Sequence, residues 1–210
     1  FRLNEGFFKR MQQGLPKVTV KIASSLDGAV AMQSGQSQWI TSELAREDGQ
    51  RLRASCGAVI TSWKTVVSDN ARLNVRQPDI LSIKGFQQPL RIVVDANLNL
   101  SPKLDFFKSH SPIWLVIRED LDEAKQKNFL AQFTEPYDLK FVPLPLKEGK
   151  IDLRLLLQKC SESQLNDVLI EAGPRFLSGW LKESLVDELV VYMAPKILGT
   201  QTQNMTNLSM

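Results

Sequence analysis

Seven short apolar runs recur along the chain, with room between them for a helix or a loop. Residues 18–23, 58–61, 91–95, 113–117, 139–142, 168–171 and 188–193 are rich in Val, Ile and Leu, which predicts seven strands. Several of these runs are apolar at successive positions, as strands need when a sheet is covered on both faces. Helical patterns fall between them. Residues 42–55 open behind Thr41 or Ser42 as an N-cap, 121–132 follow a strand, 153–158 are apolar and short, and 175–182 begin behind Pro174. Alternating strand and helix predicts an α/β domain with a largely parallel sheet.

Residues 33–38, 77–88 and 143–150 carry the Ser, Gly and Pro of loops, and none is long enough to separate two domains. Residues 1–16 show no strand alternation and read as a tether entering the domain. Residues 200–210 are polar and contain no closing element, so the expectation is a domain at 17–210 that stops short of its natural end.

The first strand alternates strictly. Val18, Val20 and Ile22 share one face, while Thr19, Lys21 and Ala23 share the other. Lys21 is then either a cation snorkelling at a sheet edge or one that lines a ligand cleft. After the Asp27-Gly28 turn, Trp39 stands where a polar loop ends and either staples the next helix or faces a ligand. Within that helix Arg46, Gln50 and Arg53 fall on one face, and Arg76 follows further on. Paired arginines suit phosphate, because the guanidinium fork matches its oxygens, although solvated arginines are commoner. The strongest local signal is residues 168–179. There a buried strand ends in Glu171, Gly173 permits close backbone approach, and Pro174 occupies a first helical position whose N–H is not needed. Such a helix start can hold an anion, and an ordinary strand-to-helix turn looks the same in sequence.

Composition narrows the chemistry by exclusion. The 210 residues are 43% hydrophobic and 23% charged, with a formal net charge of +3, too small to suggest nucleic acid or an anionic membrane. The longest apolar stretches are about six residues against the roughly twenty that a membrane helix needs, and no signal peptide is recognisable. A cytoplasmic location is expected. With one histidine, His110, and two distant cysteines, Cys56 and Cys160, neither a Cys/His zinc site nor a histidine triad has a motif behind it. There is no G-x-G-x-x-G and no Walker A sequence.

Taken together, several segments resemble the reductase half of the bifunctional riboflavin-biosynthesis deaminase/reductases, the RibD family. They are residues 4–11 (NEGFFKRM), 21–28 (KIASSLDG), 34–42 (SGQSQWITS), 51–54 (RLRA), 69–76, 91–95 (RIVVD), 171–174 (EAGP) and 185–199 (LVDELVVYMAPKILG). The resemblance spans nearly the whole chain. It implies a dihydrofolate-reductase-like three-layer α/β fold, and reduction of the ribosyl group of 5-amino-6-(5-phosphoribosylamino)uracil to ribityl with NADPH. By the same resemblance Ser37, Arg53, Leu73 and Arg76 hold the substrate phosphate and its chain, and Lys21, Thr41 and Glu171 face the pyrimidine. Ala23, Trp39, Thr65, Asp69, Ala96 and the turn of Gly173, Pro174, Arg175, Phe176, Leu177, Ser178 and Gly179 contact NADPH. Ala96 stands where the family often has serine. Asp69 is the candidate for proton transfer or for stabilising an iminium, and its plain alternative is an N-cap or Asx-turn residue.

The deaminase motifs around zinc, H-x-E and P-C-x-x-C, do not occur, so residues 1–16 would be the link from a missing deaminase domain. A homo-oligomer, most simply a dimer, is the expected assembly, with no nucleic-acid or membrane partner and no metal. Another reductase of the same fold would not need Arg53 and Arg76, and a non-catalytic nucleotide-binding module would not need Lys21, Asp69 and Glu171 together.

Overall fold

Val, Ile and Leu at successive positions bury both faces of a strand only if helices cover both sides of the sheet, and that is the arrangement found. The computed structural model describes residues 4–32, 42–109, 111–133, 137–200 and 202–206. All seven expected strands are present: β1 (Lys17–Ser25), β3 (Ala58–Ser62), β4 (Leu90–Val94), β5 (Ile113–Arg118), β6 (Leu139–Leu144), β9 (Asp167–Ile170) and β10 (Glu188–Ala194). They form one sheet in the order β10-β1-β9-β3-β4-β5-β6, and every pairing within it is parallel. The order places β1 and β9 side by side although 141 residues lie between Ser25 and Asp167, so the connection between them is a long crossover through β3 to β6.

Neighbouring residues of each strand divide between two cores. Val18, Val20, Ile22, Ile60, Ile92 and Ile170 pack with Leu156, Leu157 and Cys160 of α6 (Leu153–Glu162) and with Leu177 and Trp180 of α7 (Pro174–Lys182). Val59, Val93, Leu115 and Leu169 face the other way. They meet Val66 of α3 (Trp63–Asp69), Phe106 and Phe107 of a 3-10 turn at Asp105–Lys108, and Phe129 of α5 (Glu123–Leu130). The result is three layers, helices above and below one sheet. α2 (Glu43–Ala54) lies on this second side, started by Ser42, whose Oγ accepts from Ala45 N–H.

Four features depart from the sequence reading. Residues 5–13, expected as a tether, form α1 (Glu5–Gln13), ended by Gly14 in the left-handed region. α1 docks through polar contacts rather than an apolar stripe. Lys9 pairs with Asp187, Lys17 with Glu5, and Arg10 donates to Asn166, while Phe7, Phe8 and Met11 stay exposed. Gly6 permits the contact, since a Cβ there would lie 2.5 Å from both Asn166 O and Asp167 Oδ1. At the other end β11 (Thr202–Asn204) pairs antiparallel with β2 (Ala29–Met32), so the polar tail does contain a closing element. Within the expected loops, α4 (Pro78–Leu81) and a small hairpin of β7 (Leu146–Lys147) and β8 (Lys150–Ile151) form. Asp69 is the last residue of α3 and not a residue of an irregular turn.

Asp27 ties residues 21–28 to residues 185–199, accepting from Ser25 Oγ and from the backbone N–H groups of Gly199 and Leu198, which holds its carboxyl down at about 2. No helix among the described residues is long and apolar enough to cross a membrane. Burial pushes the Cys160 thiol up to about 12 and that of Cys56 to about 11. Because the thiolate is the reactive form, both cysteines should label slowly with iodoacetamide near pH 8 in the native protein and promptly once it is unfolded. Rapid labelling of native protein at Cys160 would contradict its place in the core.

Candidate active site

β1 and β9 run parallel with Thr19 beside Leu169 and Val20 beside Ile170, and the same register carried one residue further brings Lys21 level with Glu171. Both residues lie on the α2 side of the sheet, opposite the face that Val20 and Ile170 bury. The backbone of Glu171 is fixed from β3, since its N–H donates to Ile60 O and its carbonyl accepts from Thr61 Oγ1 at 2.6 Å.

Its carboxylate meets Arg53. Nε of Arg53 donates to Oε1 at 2.8 Å and Nη2 to Oε2 at 3.1 Å, a bidentate fork, while Nη1 donates to Asn74 O at 2.7 Å. The pair is largely buried, with the side chains 11% and 14% exposed. Burial alone would raise the Glu171 carboxyl, but the charge and hydrogen bonds of Arg53, with the charges of Lys21 and Arg76, hold it below the usual carboxylate range. Three cations therefore surround one carboxylate. Partial desolvation, with the like charges of Arg53 and Arg72, pulls the Arg76 guanidinium below its ordinary value. Lys21 reaches toward α2, with its Nζ 5.5 Å from the centre of the Tyr192 ring, and Tyr192 Oη donates to Asp48 Oδ2 at 2.6 Å.

Two residues on from Glu171 the chain enters α7. Gly173 is the N-cap and offers no capping side chain, and its N–H donates to Thr65 Oγ1 at 3.3 Å. Its backbone, at φ −70°, does not demand glycine, and a Cβ there would meet nothing within 4 Å. The glycine therefore keeps open space in front of the helix start. No acidic residue occupies the first turn, and the exposed Arg175 lies within it, a charge that opposes the helix dipole unless an anion is present.

Residues 16–209 match the RibD C-terminal domain. The chain belongs to that family. A Haemophilus influenzae relative named riboflavin biosynthesis protein RibD is 36% identical over 214 residues, covering 99% of this chain and 54% of its own length. A Buchnera aphidicola protein named 5-amino-6-(5-phosphoribosylamino)uracil reductase is 38% identical over 180 residues, covering 82% of each. The solved structure of Acinetobacter baumannii RibD, form 1, has a TM-score of 0.84 at 35% identity, over 100% of this chain and 54% of that one. The chain thus spans about half the length of the RibD relatives it matches. The fold is the α/β, dihydrofolate-reductase-like three-layer fold with a mostly parallel central sheet.

Of the residues that resemblance to RibD singled out, the structure brings Lys21, Arg53, Arg76 and Glu171 into one electrostatic cluster. Arg53 and Glu171, expected at opposite ends of a substrate, are bonded to each other. The fork of Arg53 is thus occupied, and Arg76 is exposed, its guanidinium bonded among the described residues to Asn74 of its own loop, which makes it the arginine open to an incoming anion. Thr65 and Asp69 lie one turn apart on α3 and share a face, with Asp69 exposed and accepting from Ser68 Oγ. Leu73 is buried and held at φ 56°. Ala23 is half-buried on β1, and Ala96, half-buried just beyond β4, packs against the same core as Ala172.

The run from Gly173 to Gly179 divides in two. Leu177 is in the core, Ser178 Oγ donates to Pro174 O, and Gly179 faces Leu153, so these three belong to the helix body. Only Gly173, Pro174, Arg175 and Phe176 lie at the helix mouth. Ser37, Trp39 and Thr41 lie outside the described residues, as does His110. Sequence reading missed Tyr192 and Asp48 beside Lys21, because nothing in local spacing links residues 144 apart. Among the described residues no group of three His, Cys, Asp or Glu side chains could hold a metal.

Proposed function

We propose that this chain reduces the ribosyl group of 5-amino-6-(5-phosphoribosylamino)uracil to ribityl, with NADPH as reductant. The observation that carries the reading is the cationic cluster of Lys21, Arg53 and Arg76 around one buried carboxylate, beside a helix start with open space at Gly173. Glu171 compensates Arg53, which leaves Lys21 and Arg76 to meet an anionic substrate. The name of the Buchnera aphidicola relative supports the same substrate.

A nicotinamide cofactor fits the α7 mouth, where the open space at Gly173, the helix dipole and Arg175 all favour a phosphate group. When bound, it supplies the hydride. The chain's own residues do the rest. Arg76 binds the terminal phosphate of the substrate by charge-assisted hydrogen bonds, and Lys21 and the Glu171–Arg53 pair present a donor and an acceptor to the pyrimidine end. Thr65 fixes Gly173 N–H and so the orientation of the helix mouth. Asp69, on the same face of α3 as Thr65, handles the proton or stabilises positive charge developing on the opened ribosylamine.

Turnover is followed by the loss of reduced-nicotinamide absorbance with the purified chain and this substrate. Arg76→Ala should raise the substrate KM about 10- to 100-fold and leave NADPH affinity unchanged, as expected for a hydrogen bond to a charged group. Asp69→Asn should lower the single-turnover rate by about 10²-fold. NADPH binding without turnover would overturn the reading in favour of a nucleotide-binding module.

A further inference from the structure

Residues 72–76 belong to no helix or strand, yet side chains from α2, from β4 and from the loop ahead of β4 hold their backbone. Nη1 of Arg91 donates to Arg72 O at 3.1 Å, and Nη1 of Arg53 donates to Asn74 O at 2.7 Å. Val75 N–H donates to Gln88 Oε1 at 2.8 Å, and Gln88 Nε2 donates back to Val75 O at 2.8 Å. Arg76 N–H donates to Gln50 Oε1 at 2.9 Å. The Val75 carbonyl and the Arg76 N–H are the two halves of one peptide group. That single peptide plane is gripped from one side by Gln88, ahead of β4, and from the other by Gln50 on α2.

A planar peptide with both its donor and its acceptor pinned has no freedom to rotate, so the direction in which Arg76 leaves the backbone is fixed. Further along the same side chain, Asn74 Oδ1 accepts from Arg76 Nη1 at 3.1 Å. The segment also contains Leu73 at φ 56°, a conformation that a branched side chain holds only when its surroundings impose it. A loop serving only as a connection would need none of this. An arginine that must present its fork to an anion at one angle does, because bidentate recognition fails when the guanidinium is turned or displaced.

We infer that Gln88 and Gln50 are positioning residues for the anion-binding arginine Arg76: together they clamp the peptide group before it. The inference rests on the proposed role of Arg76 and goes beyond it, since both glutamines act through the backbone before Arg76.

The test is a double-mutant cycle on the full chain with NADPH and 5-amino-6-(5-phosphoribosylamino)uracil. Gln88→Met keeps the length of the side chain and removes both hydrogen bonds without adding charge. It should raise the KM for this substrate about 5- to 20-fold, leave kcat within about twofold, and leave NADPH affinity unchanged. In an Arg76→Ala background the same change should add nothing, because the group it positions is gone. With the dephosphorylated substrate, Gln88→Met should likewise have no effect.

Two results would overturn the inference. One is a KM increase of equal size with and without Arg76. The other is an unchanged KM in Gln88→Met although Arg76→Ala alone raises it. If instead Arg76→Ala leaves KM unchanged, the phosphate reading itself fails. Should Gln88→Met not fold, Gln50→Met, which removes only the acceptor on α2, carries the same cycle with the same outcomes.

Discussion

Replacing Glu171 with alanine is expected to destabilise the protein by about 3 kcal/mol or more, because it leaves Arg53 as an uncompensated charge in a largely buried place. Arg53 gives two of its three bonded nitrogens to this carboxylate, and the third goes to Asn74 O. Lys21 and Arg76, whose charges also act on Glu171, would then repel Arg53 with nothing between them. Glu171→Gln, which keeps the shape and one neutral acceptor, should cost less. The effect is also visible in pH dependence. The folded carboxyl lies below its ordinary value of 4.5, so its stabilising contribution is complete above that value and is lost as the pH falls through the lower folded one. Denaturant titrations of wild type and Glu171→Ala should therefore draw together as the pH is lowered below 4.5. A loss at neutral pH below about 1 kcal/mol would mean that water already screens the pair.

Arg91→Met is expected to cost about 4 kcal/mol or more, in the range that marks loss of a buried polar network. Arg91 sits inside β4 with no exposed surface, and its guanidinium donates to four backbone carbonyls among the described residues: Arg72, Phe106, Ser109 and Ser111. Its guanidinium also lies 4.5 Å from the centre of the Phe106 ring. Burial pulls its pKa down to about 10, so the charge is held at a cost and is retained for the donors it carries. Methionine fills a similar volume but leaves four carbonyls without a donor, at about 1 kcal/mol or more each. Arg91→Lys should rescue little, since an ammonium on a flexible stem cannot reproduce a planar fork with four separate targets. Because one target is Arg72 O, a surviving variant should also bind substrate less well, through the same loop that carries Arg76. Equilibrium unfolding in guanidinium chloride measures the first effect, and a loss under about 2 kcal/mol would show that water replaces the missing donors.

What the order of residues determined by itself was the set of parallel strands and most of their helices. The runs at Ala58–Ser62, Leu90–Val94 and Asp167–Ile170 are largely apolar at successive positions, a pattern that calls for burial on both faces, so a sheet covered on both sides was already implied. Ser42 and Pro174 marked helix starts because capping is a local matter. The face of β1 that carries Lys21 followed from a period of two.

Tertiary structure decided the rest, for reasons of distance and partner choice. α1 carries no apolar stripe toward the sheet, and it docks because Gly6 lets its backbone close on Asn166 while Lys9 finds Asp187. Pairing of β11 with β2 joins positions about 170 apart, which no window along the chain can register. The same holds for the site. Arg53, Arg76 and Glu171 were each visible as charges, but which arginine is neutralised and which remains for a ligand depends on geometry, since a guanidinium that finds a buried carboxylate at 2.8 Å is no longer open to an anion from outside. Gln50 and Gln88 read as ordinary polar residues until the fold sets them on opposite sides of one peptide group, where two neutral amides fix the direction of a charged side chain.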